Sequence, residues 1–97
     1  MDHYQWSPEK NEQLKAERGL SFEQMVMHIE RGDLLAVHEH PNQAKYPGQQ
    51  ILVVRVGDYA YLVPFVESPE GRFLKTVIPS RKATREYLGE HNEEGQT

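Results

Sequence analysis

Three cations, Arg81, Lys82 and Arg85, fall within five positions near the end of the chain, and residues 71–85 contain no carboxylate. They follow Phe73-Leu-Lys-Thr-Val-Ile78, a β-branched run that carries Lys75 and reads as a strand. The stretch Ile78-Pro-Ser-Arg-Lys-Ala-Thr-Arg-Glu-Tyr87 reads as that strand running into a helix. Cations at such a junction suit a phosphate or a carboxylate-bearing partner. Without further context the simpler reading is solvated surface charge, with Lys75 a snorkelling edge residue.

His38-Glu-His40 is the second candidate. On a strand the two imidazoles would point to one face, where alternate histidines bind a metal or move protons. Two ligands do not complete a zinc site, and there is no cysteine to extend it. His38 is therefore kept as a candidate for proton transfer, beside the blander reading of a polar strand end; no metal or cofactor is expected. Tyr46, Tyr59 and Tyr61 have rings that could stack on bases. Tyr59 and Tyr61 alternate with Val63 and Phe65, so core or partner contact is their simpler role. There is no Gly-rich phosphate loop, no Ser-His-Asp order and no metalloprotease spacing.

The elements that must position these groups are legible from periodicity and punctuation. Ser7-Pro8-Glu9 starts a helix running to about Glu17, with Gly19 just past its end. Its only apolar residues are Leu14 and Ala16, which leaves Trp6 to anchor it. Ser21-Phe-Glu-Gln24 starts a second helix whose Phe22, Met25, Val26 and Ile29 share one face. A short strand from Asp33 to His40 precedes a polar loop with two prolines. Gln50–Val56 and Tyr59–Val66 form a hairpin around Gly57-Asp58. Ser68-Pro-Glu-Gly71 turns the chain into the last strand, Phe73 to Ile78, and a short helix follows from Ser80 or Lys82 to about Gly89. Pro64 inside a strand run implies a bulge or a free edge. The expected architecture is α+β: two N-terminal helices packed on one face of a four-stranded antiparallel meander, with a short C-terminal helix.

The 97 residues suffice for one domain, expected over residues 1–89. Residues 90–97 hold three carboxylates and no Lys or Arg, and read as an acidic, disordered tail. A formal charge of −4 argues against a general nucleic-acid coat, whose affinity comes from phosphate neutralisation. The lack of cysteine, of an apolar leader and of a membrane-length apolar run leads us to expect a soluble, cytoplasmic protein with no membrane partner.

Three blocks carry a family likeness: Trp6-Ser-Pro-Glu-Lys-Asn, Gly19-Leu-Ser-Phe-Glu23 and Ile78-Pro-Ser-Arg-Lys-Ala-Thr. In this order and separation the chain resembles the BrnT-type toxins of bacterial toxin–antitoxin pairs. The resemblance implies a RelE-like fold and a metal-independent endoribonuclease that cleaves mRNA and blocks translation. It also implies a ribbon-helix-helix antitoxin as partner, with operator DNA bound only through the complex. Arg81 and Lys82 match the Arg-Lys of the family's closing block, and Lys75 falls where the family has a basic residue on the last strand. With His38 these are the catalytic candidates, and Arg55, Arg72, Arg85 and Tyr46 are the candidates for holding RNA. The chain departs from the pattern at Pro79-Ser80 and at Gln49-Gln50, where family members usually carry Ser-Ala and an Arg. A second expectation stands beside the first: a RelE-like module that has lost catalysis and docks an acidic protein.

Overall fold

A computed structural model of the chain describes residues 3–89. The acidic segment expected to be disordered lies outside the described residues. The order is β1 (Tyr4–Gln5), α1 (Pro8–Arg18), α2 (Phe22–Glu30), β2 (Leu34–Glu39), β3 (Gln50–Val56), β4 (Tyr59–Ser68), β5 (Gly71–Leu74), β6 (Ile78–Pro79) and α3 (Arg81–Thr84). A π-helical segment, Arg85–Gly89, continues α3. The fold is α+β, and β2 to β5 form the expected antiparallel meander.

The helix starts follow from local hydrogen bonding. Ser7 caps α1 by accepting from the Lys10 amide, and Ser21 caps α2 by accepting from that of Gln24. Asn11 is nearly fully buried and was not foreseen as important. Its Oδ1 accepts from the Phe22 amide at 2.8 Å, which satisfies another free amide of the first turn of α2. Its Nδ2 donates to Glu23 Oε1, also at 2.8 Å. Trp6 does anchor the N-terminal helix, by stacking its ring on Phe22 with centroids 5.6 Å apart.

The sheet departs from the four-stranded expectation in two ways. First, among the described residues it has six strands and is mixed, because β1 pairs in parallel with β5 at the edge. This approach needs Gly71, whose φ is 131°; a Cβ there would collide with the backbone of His3. A two-residue strand beside the helix signal of Ser7-Pro8 is too short for periodicity to reveal.

Second, the expected strand Phe73–Ile78 is broken. β5 ends at Leu74, and the chain rejoins β4 only at β6, where Ile78 pairs with Leu62 and Pro79 with Tyr61. Pro64 is the cause. In an extended strand the nitrogen and carbonyl of a residue point to the same side, and here that side faces residues 75–77. The Pro64 carbonyl accepts from the Lys75 amide at 2.8 Å, but its ring nitrogen has nothing to give. The ladder lapses at this point, and Arg18 of α1 ties down the freed Val77 carbonyl at 2.8 Å. Pro64 thus acts on the facing strand rather than marking a free edge.

The two faces of the sheet differ. Leu52 and Val54 of β3, Val63 and Phe65 of β4, and Leu74 of β5 pack with Leu14, Phe22 and Met25 into one dry core. The opposite face carries a smaller cluster of Val53, Ala60 and Ala83, flanked by Leu35, Leu62, Tyr87 and Leu88. The C-terminal helical segment covers only part of that second face.

Candidate functional site

A clip of hydrogen bonds fixes α3 on the second face. Ser80 is its N-cap, accepting from the Ala83 amide at 3.0 Å. The Thr84 hydroxyl donates to the Ser80 carbonyl at 2.7 Å and accepts from the Ala60 amide of β4 at 2.8 Å. The Ser80 amide returns a bond to the Ala60 carbonyl at 3.1 Å. Ala60 and Ala83 are both buried, and their small side chains suit close packing of α3 on β4.

Between this helix and β2 lies an open cavity of about 380 Å³. Its lining includes the apolar side chains of Ile51, Val53 and Leu62. His38 lines it from β2, and Lys82, Glu86 and Tyr87 line it from the C-terminal segment. Across the cleft, His38 Nε2 lies 2.9 Å from the Tyr87 hydroxyl, a hydrogen bond spanning 49 residues of sequence. Their rings are tilted, with centroids 6.4 Å apart. This arrangement can hold a planar group against an apolar surface, exchange a proton through the His38–Tyr87 pair, and neutralise an anion with Lys82.

Of the residues chosen from sequence, His38 and Lys82 meet in this cavity. Arg81 and Arg85 are exposed on the same C-terminal segment but are not among the cavity-lining residues. Lys75 lies in the gap between β5 and β6, with Nζ 5.6 Å from the Phe73 ring centre. Arg72 lies over the Phe65 ring at 4.9 Å and pairs with Glu67 at 3.4 Å. Arg55 donates from Nε to the Gly57 carbonyl at the hairpin. Tyr46 packs its ring on His40 at 4.5 Å, with Lys45 over it. The basic candidates are therefore dispersed around the sheet and do not form a single cluster.

The two histidines part company. The strand ends at Glu39, and His40 turns into the loop, where its Nδ1 accepts from the Asn42 amide at 3.0 Å. Gln43 braces that loop by donating to the carbonyls of His40 and Gln49. Among the described residues no group of three His, Asp or Glu is placed to hold a metal ion.

Tyr87 and Glu86 were not chosen from sequence as site residues. The signal was present in the apolar residues Ala83, Tyr87 and Leu88, which recur at helical spacing and require a second sheet face to cover. His38 shares that face because it pairs opposite Ile51.

Elsewhere, two carboxylates are held below their ordinary range. The Asn11 amide donating to Glu23 lowers that carboxyl. His28 Nδ1, 2.8 Å from Asp33 Oδ2, lowers the second, with help from Arg31 at 3.6 Å. Both lie in the helical layer or its turn into β2, away from the cavity.

Neither protein-family models, nor curated proteins, nor solved structures give a significant match to this chain. No described helix is long and apolar enough to cross a membrane.

Proposed function

We propose that the chain is an endoribonuclease toxin of the BrnT type, with its active centre in the cavity between β2 and the C-terminal segment. The observation that carries this reading is the His38–Tyr87 hydrogen bond across a cleft that Lys82 also lines. The family likeness of the three sequence blocks supplies the substrate class.

In this reading His38 takes the proton of an RNA 2′-hydroxyl as that oxygen attacks the adjacent phosphorus. Lys82 stabilises the negative charge that builds on the phosphorane oxygens. The P–O5′ bond then breaks, leaving a 2′,3′-cyclic phosphate, and Tyr87 gives its proton to the departing 5′-oxygen. The proton on His38 passes back along the 2.9 Å hydrogen bond to Tyr87, so the pair ends as it began. Arg81 and Arg85, at the outer surface of the same segment, hold flanking phosphates. Lys75, Arg72, Arg55 and Tyr46 lie away from the cavity lining and act at most on RNA that runs over the sheet. A ribbon-helix-helix antitoxin encoded alongside would neutralise the toxin, with operator DNA bound through the complex in the cytoplasm of a bacterium.

The test is expression without the neighbouring gene product in a bacterial host, following growth and total mRNA. Growth arrest with mRNA loss is expected, relieved by His38→Ala or Lys82→Ala and less by Arg81→Ala or Lys75→Ala. Normal growth at high soluble expression would sink the reading. One observation favours a second: Arg81 and Arg85 are exposed outside the cavity lining, as a docking surface for an acidic protein requires. In that case the neighbouring protein binds with salt-sensitive affinity although no RNA is cut.

A further inference from the structure

The cavity has a pair of charges that the cleavage chemistry above does not fully use. Lys82 and Glu86 are four positions apart on one helical segment, and both line the cavity. Side chains so spaced are neighbours, with Cβ atoms roughly 5–6 Å apart. The spacing therefore brings a cation and a carboxylate to the rim of one cavity, which Ile51, Val53 and Leu62 also line. The volume of about 380 Å³ sits near the low end of small-ligand sites, which begin at about 300 Å³. That is space for one base and its sugar.

We propose that this pair selects guanine; the assignment rests on the ribonuclease reading of the same cleft. The four RNA bases all offer a π-face to an apolar surface, so stacking alone does not choose among them. Their edges do. Guanine places two donors side by side, N1–H and the N2 amino group, which match the two oxygens of one carboxylate. It also places two acceptors side by side, O6 and N7, which match an ammonium group. Along their pairing edges adenine has one donor beside one acceptor, cytosine one donor beside two acceptors, and uracil one donor between two acceptors. None of these three presents adjacent donors to Glu86. The half-buried Tyr87 ring lies beside the same space and adds a second stacking partner. Glu86 thus carries the discrimination, while Lys82, engaged on the scissile phosphate during cleavage, favours the O6–N7 side by its charge alone, so the cut falls next to the recognised guanosine.

The experiment titrates the full chain with the 5′-monophosphates of guanosine, inosine, adenosine, cytidine and uridine, observed by backbone NMR. Guanosine monophosphate is expected to shift the amides of Ile51, Lys82 and Ala83. It should bind at least about tenfold more tightly than adenosine monophosphate, the discrimination of one bidentate contact. Inosine monophosphate, which lacks the N2 amino group, should fall between them. Glu86→Gln should lose about tenfold for guanosine monophosphate and little for adenosine monophosphate, with an unchanged thermal midpoint as the control for folding. Equal binding of all five, binding of none, or an unchanged preference in Glu86→Gln overturns the guanine site. A parallel digest of an oligoribonucleotide with a single guanosine separates the two proposals. Cutting at every base with equal mononucleotide binding overturns guanine selection and leaves the ribonuclease. Guanosine binding by a chain that cuts nothing keeps the guanine site and overturns the ribonuclease.

Discussion

The two faces of the sheet are made from the same strands and differ in how they are closed. On one, two helices seal Leu52, Val54, Val63 and Phe65 from water, and every large side chain has a packed neighbour. On the other, α3 and its π-helical extension close only part of the surface and leave the cavity open beside them. Apolar burial scales with the area removed from water, so the first face supplies most of the stability. The second gives up some of that area and keeps an open cleft that His38, Lys82 and Glu86 help to line, where the proposed binding and proton transfer would occur. Under the proposed function, stability and chemistry fall on opposite sides of one sheet.

The most direct way to break this comparison is to weaken each face separately. Phe65→Ala removes a fully buried ring from the sealed face and should cost about 3–5 kcal/mol. For a chain of this size that is a large share of the total, so the thermal midpoint should collapse along with any activity. If Phe65→Ala left the midpoint nearly unchanged, the sealed face would not be the source of stability.

Thr84→Val tests the seam between the faces. It keeps the shape of the side chain but strands the Ala60 amide, now paired at 2.8 Å, and should cost about 1–3 kcal/mol. Native-state hydrogen exchange should speed up at Ala60 and Ala83 before it does in β3. Asn11→Ala is the matching test on the sealed side. It orphans the Phe22 amide at a similar cost of about 1–3 kcal/mol and frees Glu23.

These pairs also mark what the sequence could and could not reveal. Both N-terminal helices, their Ser7 and Ser21 caps and the meander were legible because capping, helical spacing and turn chemistry act over a few residues. Asn11 was not, since its role depends on where the α1–α2 turn brings Phe22. Phe73–Ile78 read as one strand because all its residues but Leu74 and Lys75 are β-branched or aromatic. The interruption comes from Pro64 on the neighbouring strand, which no local window contains. The site was half legible for the same reason. Lys82 and His38 have suggestive types, but only strand register and helix docking bring His38 to Tyr87 across 49 residues.

Acid should act through the helical side. Glu23 and Asp33 both have depressed folded-state pKa values, from ordinary values of 4.5 and 3.8. A depressed carboxyl contributes stability that is fully present above its ordinary pKa and lost as pH falls through the folded one. The thermal midpoint should therefore decline below about pH 4.5, and Glu23→Gln or Asp33→Asn should flatten that decline. An acid slope unchanged in both variants would show that neither carboxylate carries it.

The smallest stability effects should come from the face proposed for chemistry, and there the comparison is sharpest. Lys82 is exposed, so Lys82→Ala should change stability by about 0.5 kcal/mol or less. Tyr87→Phe keeps the ring against the sheet and removes only the hydroxyl that meets His38, a bond in an exposed setting worth about 0.5–1.5 kcal/mol at most. Under the proposed mechanism both variants nevertheless lose RNA cleavage by about a hundredfold, the scale of one general acid–base or electrostatic contribution. The diagnostic result is that dissociation: a midpoint near the wild-type value with cleavage nearly abolished. If Tyr87→Phe cut RNA at the wild-type rate, the His38–Tyr87 bond would be a tether that positions the C-terminal segment, and the proton donor would have to be sought elsewhere around the cavity.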